Sequence, residues 1–161
     1  MSFDLYLQRF DAGNSAQVDR TRVLSVLRAV CQDQPDGFGL YSVGFPDGSA
    51  LELSAEGLES EHDFTGCVLH LREFTGATID FVFNVAALGD MVIFNAQGRD
   101  TPKEPLVILT APAQQQHLPD EVGDHPVVCT SPAHLAQLLG VAIEGWEGFR
   151  DAVLAGNSGR E

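Results

Sequence analysis

The stretch QQQHLPDEVGDHP, residues 114–126, brings His117 and His125 close to Asp120, Glu121 and Asp124. Imidazoles and carboxylates bind zinc or exchange protons near neutral pH, so this is the first place to look for chemistry. Zinc sites on helices put both imidazoles on one face, as in HExxH. Here the histidines are eight residues apart with Pro119 and Gly123 between them, so no regular helix aligns them. A catalytic zinc would need a third ligand, from Asp120, Asp124 or His134, and an open position. No spacing specifies that set. The expectation is a solvent-facing loop with Leu118 and Val122 tucked inward, entering a strand at Val127, and no metal or cofactor.

Other reactive residues are no better arranged. His62 lies among Glu59, Glu61 and Asp63, an acidic cluster suited to a cation or a basic side chain, but the EF-hand array with its sharp-turn glycine is missing. Cys31, Cys67 and Cys129 form no CxxC pair and read as reduced core residues. No GxSxG elbow or papain-like context surrounds a nucleophile. GVAIEGWEG has glycines without the phosphate-cradling spacing. Glu73 and Asp80 would make an acid–base pair only by selection from 23 acids. Trp146 reads as a core contact of a terminal helix or as an aromatic anchor in an interface.

The elements that must carry these residues follow from periodicity. FDLYLQ alternates as a strand, and AGNS breaks it. Asp19 caps a helix in which Val23, Val26, Leu27, Val30 and Cys31 form the apolar stripe and Arg20, Arg22 and Arg28 face water. Residues 39–54 read as a hairpin turning at Gly48, residues 55–64 as an acidic loop, and residues 67–74 as a strand with His70 on its outer face. A helix follows, capped by Thr75 or Thr78 and ended by Gly89 in the left-handed conformation, although IDFVFNV alone would also suit a strand. MVIFNA, PLVILTA and VVCT are strands. SPAHLAQLLG is a helix that starts at Pro132 with Ser131 as its cap and has Gly140 beyond its end, and residues 144–154 form a last helix. The order β-α-β-β-β-α-β-β-β-α-α indicates an α+β fold: one domain over residues 1–155, a mainly antiparallel sheet covered by helices on one side, and a flexible tail at 156–161. A ferredoxin-like first half is one topology this order allows.

Charge bounds the partner. The formal net charge is −14, Lys103 is the only lysine, and no Lys or Arg lies between Arg28 and Arg72 or between Lys103 and Arg150. Such a field repels nucleic-acid phosphate and anionic membranes and favours a basic protein, or serves solubility. The expected contact face is Glu52, Glu56, Glu59, Glu61 and Asp63, the loop acids Asp120, Glu121 and Asp124, and Trp146. The N-terminal MSFDLYLQRF has no signal-peptide pattern and no segment is apolar enough to span a bilayer, so the expected compartment is the cytoplasm.

The opening MSFDLYLQRF, with HLP, SPAHLAQLLG and GWEGFRDAV near the other end, resembles small uncharacterised acidic bacterial proteins, some of the toxin-immunity type. The resemblance implies a binding protein that holds a basic toxin and transfers no catalytic residue. The alternative is a small enzyme or ligand-binding protein whose pocket is assembled from scattered residues.

Overall fold

The computed structural model describes residues 2–95, 106–122 and 125–158, the last helix partly by its backbone alone. Strands β1 (Phe3–Gln8), β4 (Leu40–Gly44), β5 (Ala50–Ser54), β6 (Gly66–Leu71), β7 (Val92–Asn95), β8 (Val107–Leu109) and β9 (Val127–Val128) form one sheet in the order β4-β5-β6-β1-β7-β8-β9. All pairings are antiparallel except β8 with β9. A separate small hairpin joins β2 (Phe10–Asp11) to β3 (Asn14–Ser15). Helices α1 (Arg20–Arg28), α2 (Gly76–Leu88) and α3 (Pro132–Ser158) complete the α+β domain. The split unit β6-α2-β7 embraces β1, as in a ferredoxin-like arrangement. One strand is added, because α1 leads into a three-stranded meander rather than a hairpin.

Alternation decides which face is covered. Phe3, Leu5 and Leu7 of β1, Leu51 and Leu53 of β5, and Leu69 and Leu71 of β6 are all buried in one cluster with Val23 and Leu27 of α1, Val82 and Val85 of α2, and Leu135 and Leu139 of α3. Each such side chain contributes about 1.5–3 kcal/mol of burial free energy. Among the described residues the opposite face is covered only towards β7–β9, where Val92, Val107 and Leu109 pack with Phe10, Phe94, Leu118 and Val122. Over β4-β5-β6-β1 it is open, as antiparallel sheets permit.

Local chemistry sets the ends of the helices. Asp19 accepts hydrogen bonds from the Thr21 and Arg22 amides, and Thr75 exchanges side-chain bonds with Thr78 in a capping box. IDFVFNV is helical because its apolar residues are enclosed on several sides, by the sheet, α1 and α3, which overrides β propensity.

Four expectations need correction. Gly89 ends α2 at φ −84°, and Asp90 takes the left-handed geometry at φ 52°. The space beside Gly89 is tight: a Cβ would lie 2.7 Å from the mobile end of Met91 at Cε and 3.0 Å from the Val85 carbonyl, so a side chain fits only where these give way. Gly140 does not stop a helix: α3 runs unbroken from Pro132 to Ser158, and packing can hold a helix across a glycine that costs only about 1 kcal/mol. It thereby enters the segment expected to be a tail, while residues 159–161 lie outside the described residues. AGNS is no plain break: Ala12 and Gly13 are the two-residue turn of the β2-β3 hairpin, with positive φ (51° and 84°) as a turn between twisted strands requires, and Asn14 and Ser15 are its returning strand. Finally, Arg20 and Arg28 do not simply face water; both bind the acidic loop.

Candidate functional site

The acidic loop between β5 and β6 is a built structure. Gly57 turns the chain at φ 90°, and a Cβ there would stand 2.8 Å from the Asp63 carbonyl oxygen. Leu58 and Phe64 pin the loop into the core. Arg20, on the first residue of α1, donates to the carbonyl of Gly57 at 2.6 Å and also to those of Ser60 and His62. One guanidinium thus gathers three backbone acceptors that would otherwise need water. Gln17 Nε2 donates to Asp63 at 2.6 Å.

Glu59 is held from both sides. Tyr41 donates its hydroxyl to Oε2 at 2.5 Å, and Arg28 donates to Oε1 at 2.7 Å with its guanidinium 5.9 Å from the Tyr41 ring centroid. The Tyr41 hydroxyl, then Arg28, lower the Glu59 pKa below the ordinary carboxylate value. Burial, then the hydrogen bond to Glu59, push the Tyr41 phenol up, and the bond with Glu59 raises Arg28. Chemically this is an anchored carboxylate, stabilised as the anion and poorly suited to take up a proton at neutral pH. Glu56 and Glu61 are exposed on the same loop.

The remaining acids expected at the contact face are dispersed. Glu52 points from β5 onto the open sheet face and pairs with Arg72 at 2.9 Å. Asp120 and Glu121 are exposed beyond the 3-10 helix Pro112–His117. The β2-β3 hairpin bonds that helix through Gly13 and His117, while Gln17, just past the hairpin, reaches Asp63 of the acidic loop. Asp124 lies outside the described residues. Trp146 belongs to α3, and its side chain is likewise outside them. The structure therefore gathers Glu56, Glu59, Glu61 and Asp63 on one loop and sets Glu52, Asp120 and Glu121 apart from it.

His117 and His125 do not form a site. Nδ1 of His117 accepts from the Ala12 amide at 3.2 Å, and its carbonyl accepts from Gly13, so this histidine pins the strained hairpin turn. The same nitrogen is 3.3 Å from Asp11 Oδ1; a lone pair given to Ala12 leaves no proton there, so the two contacts are alternatives. His125 is exposed at φ 58°, and His134 accepts from the Thr130 amide at the start of α3. Among the described residues no group of three or more His, Cys, Asp or Glu could hold a metal ion. All three cysteines are buried and free, and burial pushes Cys67 up to about 12, far from a reactive thiolate.

Sequence reasoning missed one constellation. On the open face Ser54 Oγ lies 3.0 Å from His70 Nε2, and His70 Nδ1 lies 2.9 Å from Asp4 Oδ1. Strand pairing sets His70 opposite both Glu52 and Asp4. Ser2 adds a hydroxyl bond of 2.7 Å to Asp4. Beside this chain a groove of about 420 Å³ runs over Gly44 and Ala50, walled by Glu52, His70, Arg72 and Glu73. The alternation of β1 and β6 already placed Asp4 and His70 outward. The missing information was the register joining strands more than sixty residues apart in sequence.

No protein-family model, curated protein or solved structure matches the chain. Among the described residues no helix is long and apolar enough to cross a membrane.

Proposed function

We propose that this chain is a cytoplasmic binding protein that holds a basic protein partner through its acidic loop, with neutralisation of a basic toxin, as by immunity proteins, the leading case. The observation that carries the reading is the preorganised loop: Arg20 fixes its backbone, and Arg28 and Tyr41 fix Glu59, while Glu56 and Glu61 stay exposed. A loop ordered before encounter loses less entropy on binding. A net charge of −14 would steer a basic partner towards it. The test is capture from the native host followed by association kinetics. Replacing Glu56, Glu61 and Asp63 by their amides should lower the association rate several-fold at low salt, with the difference shrinking as salt rises. Equal association rates for wild type and variant against the captured partner would reject this role.

One observation favours a second reading, a small hydrolytic enzyme. In the Ser54-His70-Asp4 chain Asp4 would orient the imidazole, and Nε2 would take the Ser54 proton as Oγ attacks an acyl carbon. His70 would then return the proton to the leaving group, and water would release the acyl group from Ser54. Against it, Ser54 ends a regular strand rather than a strained elbow. A fluorophosphonate probe decides between them. Labelling of wild type that is lost in both Ser54→Ala and His70→Ala supports the enzyme; an unlabelled wild type removes it.

A further inference from the structure

A largely apolar cavity lies away from the acidic loop, between α1 and α2. It is a groove of about 530 Å³ lined by Val26 of α1, Val30 just past its end, Phe45 beyond β4, and Phe81 and Leu88 of α2, with Asp80 as its one charged lining residue. Phe45 and Phe81 meet edge to face at 5.7 Å and form part of its wall. Leu88 is a large apolar side chain left 43% exposed. At 100° per residue, Val26 lies on a different side of α1 from Arg20 and Arg28, which turn to the acidic loop.

We infer that this groove receives an amphipathic basic helix of about three turns from a partner protein. Its lining on α2 extends from Ala77 to Leu88, about 16 Å at 1.5 Å per residue, which suits anchors at i, i+3 or i+4, and i+7. Charge selects the occupant. Asp80 offers an ion pair to a Lys or Arg flanking the apolar stripe, and the net charge of −14 opposes both an acidic helix and a second copy of this chain. The inference goes beyond the acidic-loop reading, because the groove supplies the apolar anchor that charge alone lacks.

The test uses the whole protein and a labelled synthetic helix of about 15 residues, with Leu along one face and Lys elsewhere, against a scrambled peptide of the same composition. Anisotropy is read at near-physiological salt, where unspecific attraction is screened. The helical peptide should bind at least about tenfold tighter than the scrambled one, and Leu88→Glu and Asp80→Lys should each weaken it at least about fivefold. Both positions are exposed, and melting curves verify that the variants fold. A Glu56→Gln/Glu61→Gln variant should change affinity less than about twofold. Equal binding of the two peptides, wild-type affinity in both groove variants, or loss confined to the loop variant overturns the inference. Loss confined to the loop variant would still leave the acidic-loop reading standing, so the two can fail separately.

Discussion

Tyr41→Phe isolates the bond that fixes the acidic loop to the sheet. The ring is 1% exposed and remains buried as phenylalanine, so the substitution removes one hydroxyl and its 2.5 Å bond to Glu59. A hydrogen bond to a charged group contributes about 1.5–3 kcal/mol. The Glu59 side chain is 32% exposed, so water partly replaces the lost donor, and the expected cost at neutral pH falls to roughly 1–1.5 kcal/mol. Urea unfolding measures it. The pH dependence carries the sharper test. Glu59 has its pKa lowered in the fold, chiefly by this hydroxyl. Its stabilising contribution is therefore present above the unfolded carboxylate pKa of about 4.3 and is lost as pH falls through the lower folded value. The gap between wild type and Tyr41→Phe should be full at neutral pH and shrink below about pH 4. Tyr41 has its own pKa raised, so it adds stability below about pH 10 that wild type loses as pH climbs towards the folded value; the variant lacks that limb. A cost under about 0.5 kcal/mol, or a gap of equal size in acid and at neutrality, would refute the reasoning.

Arg20→Ala should cost about 1–2 kcal/mol, since the three freed carbonyls can recruit water, and should speed amide exchange across residues 57–63 in hydrogen-exchange mass spectrometry. Gly89→Ala should destabilise by about 1–3 kcal/mol in denaturant titration, because the added methyl meets Met91, Val85 and Val18. His117→Ala should loosen the β2-β3 turn at a cost of about 1 kcal/mol, read as faster exchange of the Ala12 and Gly13 amides. Cys67, buried and pushed up to about 12, should resist alkylation in the native protein and react at an ordinary rate in denaturant.

The sequence by itself determined the class of fold. Alternation in FDLYLQ and CVLHL, the Asp19 cap, a cap at Thr75 or Thr78 (it is Thr75) and the Ser131-Pro132 start all act between near neighbours and are present. The helical spacing from Val23 also holds, but α1 ends at Arg28, short of the Val30 and Cys31 that its stripe included. The charge imbalance was equally legible, since it needs only a count.

Tertiary structure alone decided what the charges do. Arg20 and Arg28 look like solvent-facing residues of an amphipathic helix, yet they meet carbonyls and a carboxylate thirty to forty residues away. His117 was expected in a solvent-facing loop and serves as a strut for Ala12, more than a hundred residues earlier. Ser54, His70 and Asp4 are unremarkable apart and form one hydrogen-bonded chain only through the registers of β5, β6 and β1. Gly140 was misleading because a helix stop was inferred from local propensity, worth about 1 kcal/mol, which packing along a long helix outweighs. The physical reason is common to all of them. Periodicity and capping are settled within a few residues, whereas hydrogen-bond partners across the sheet depend on register and on which loops the fold brings together.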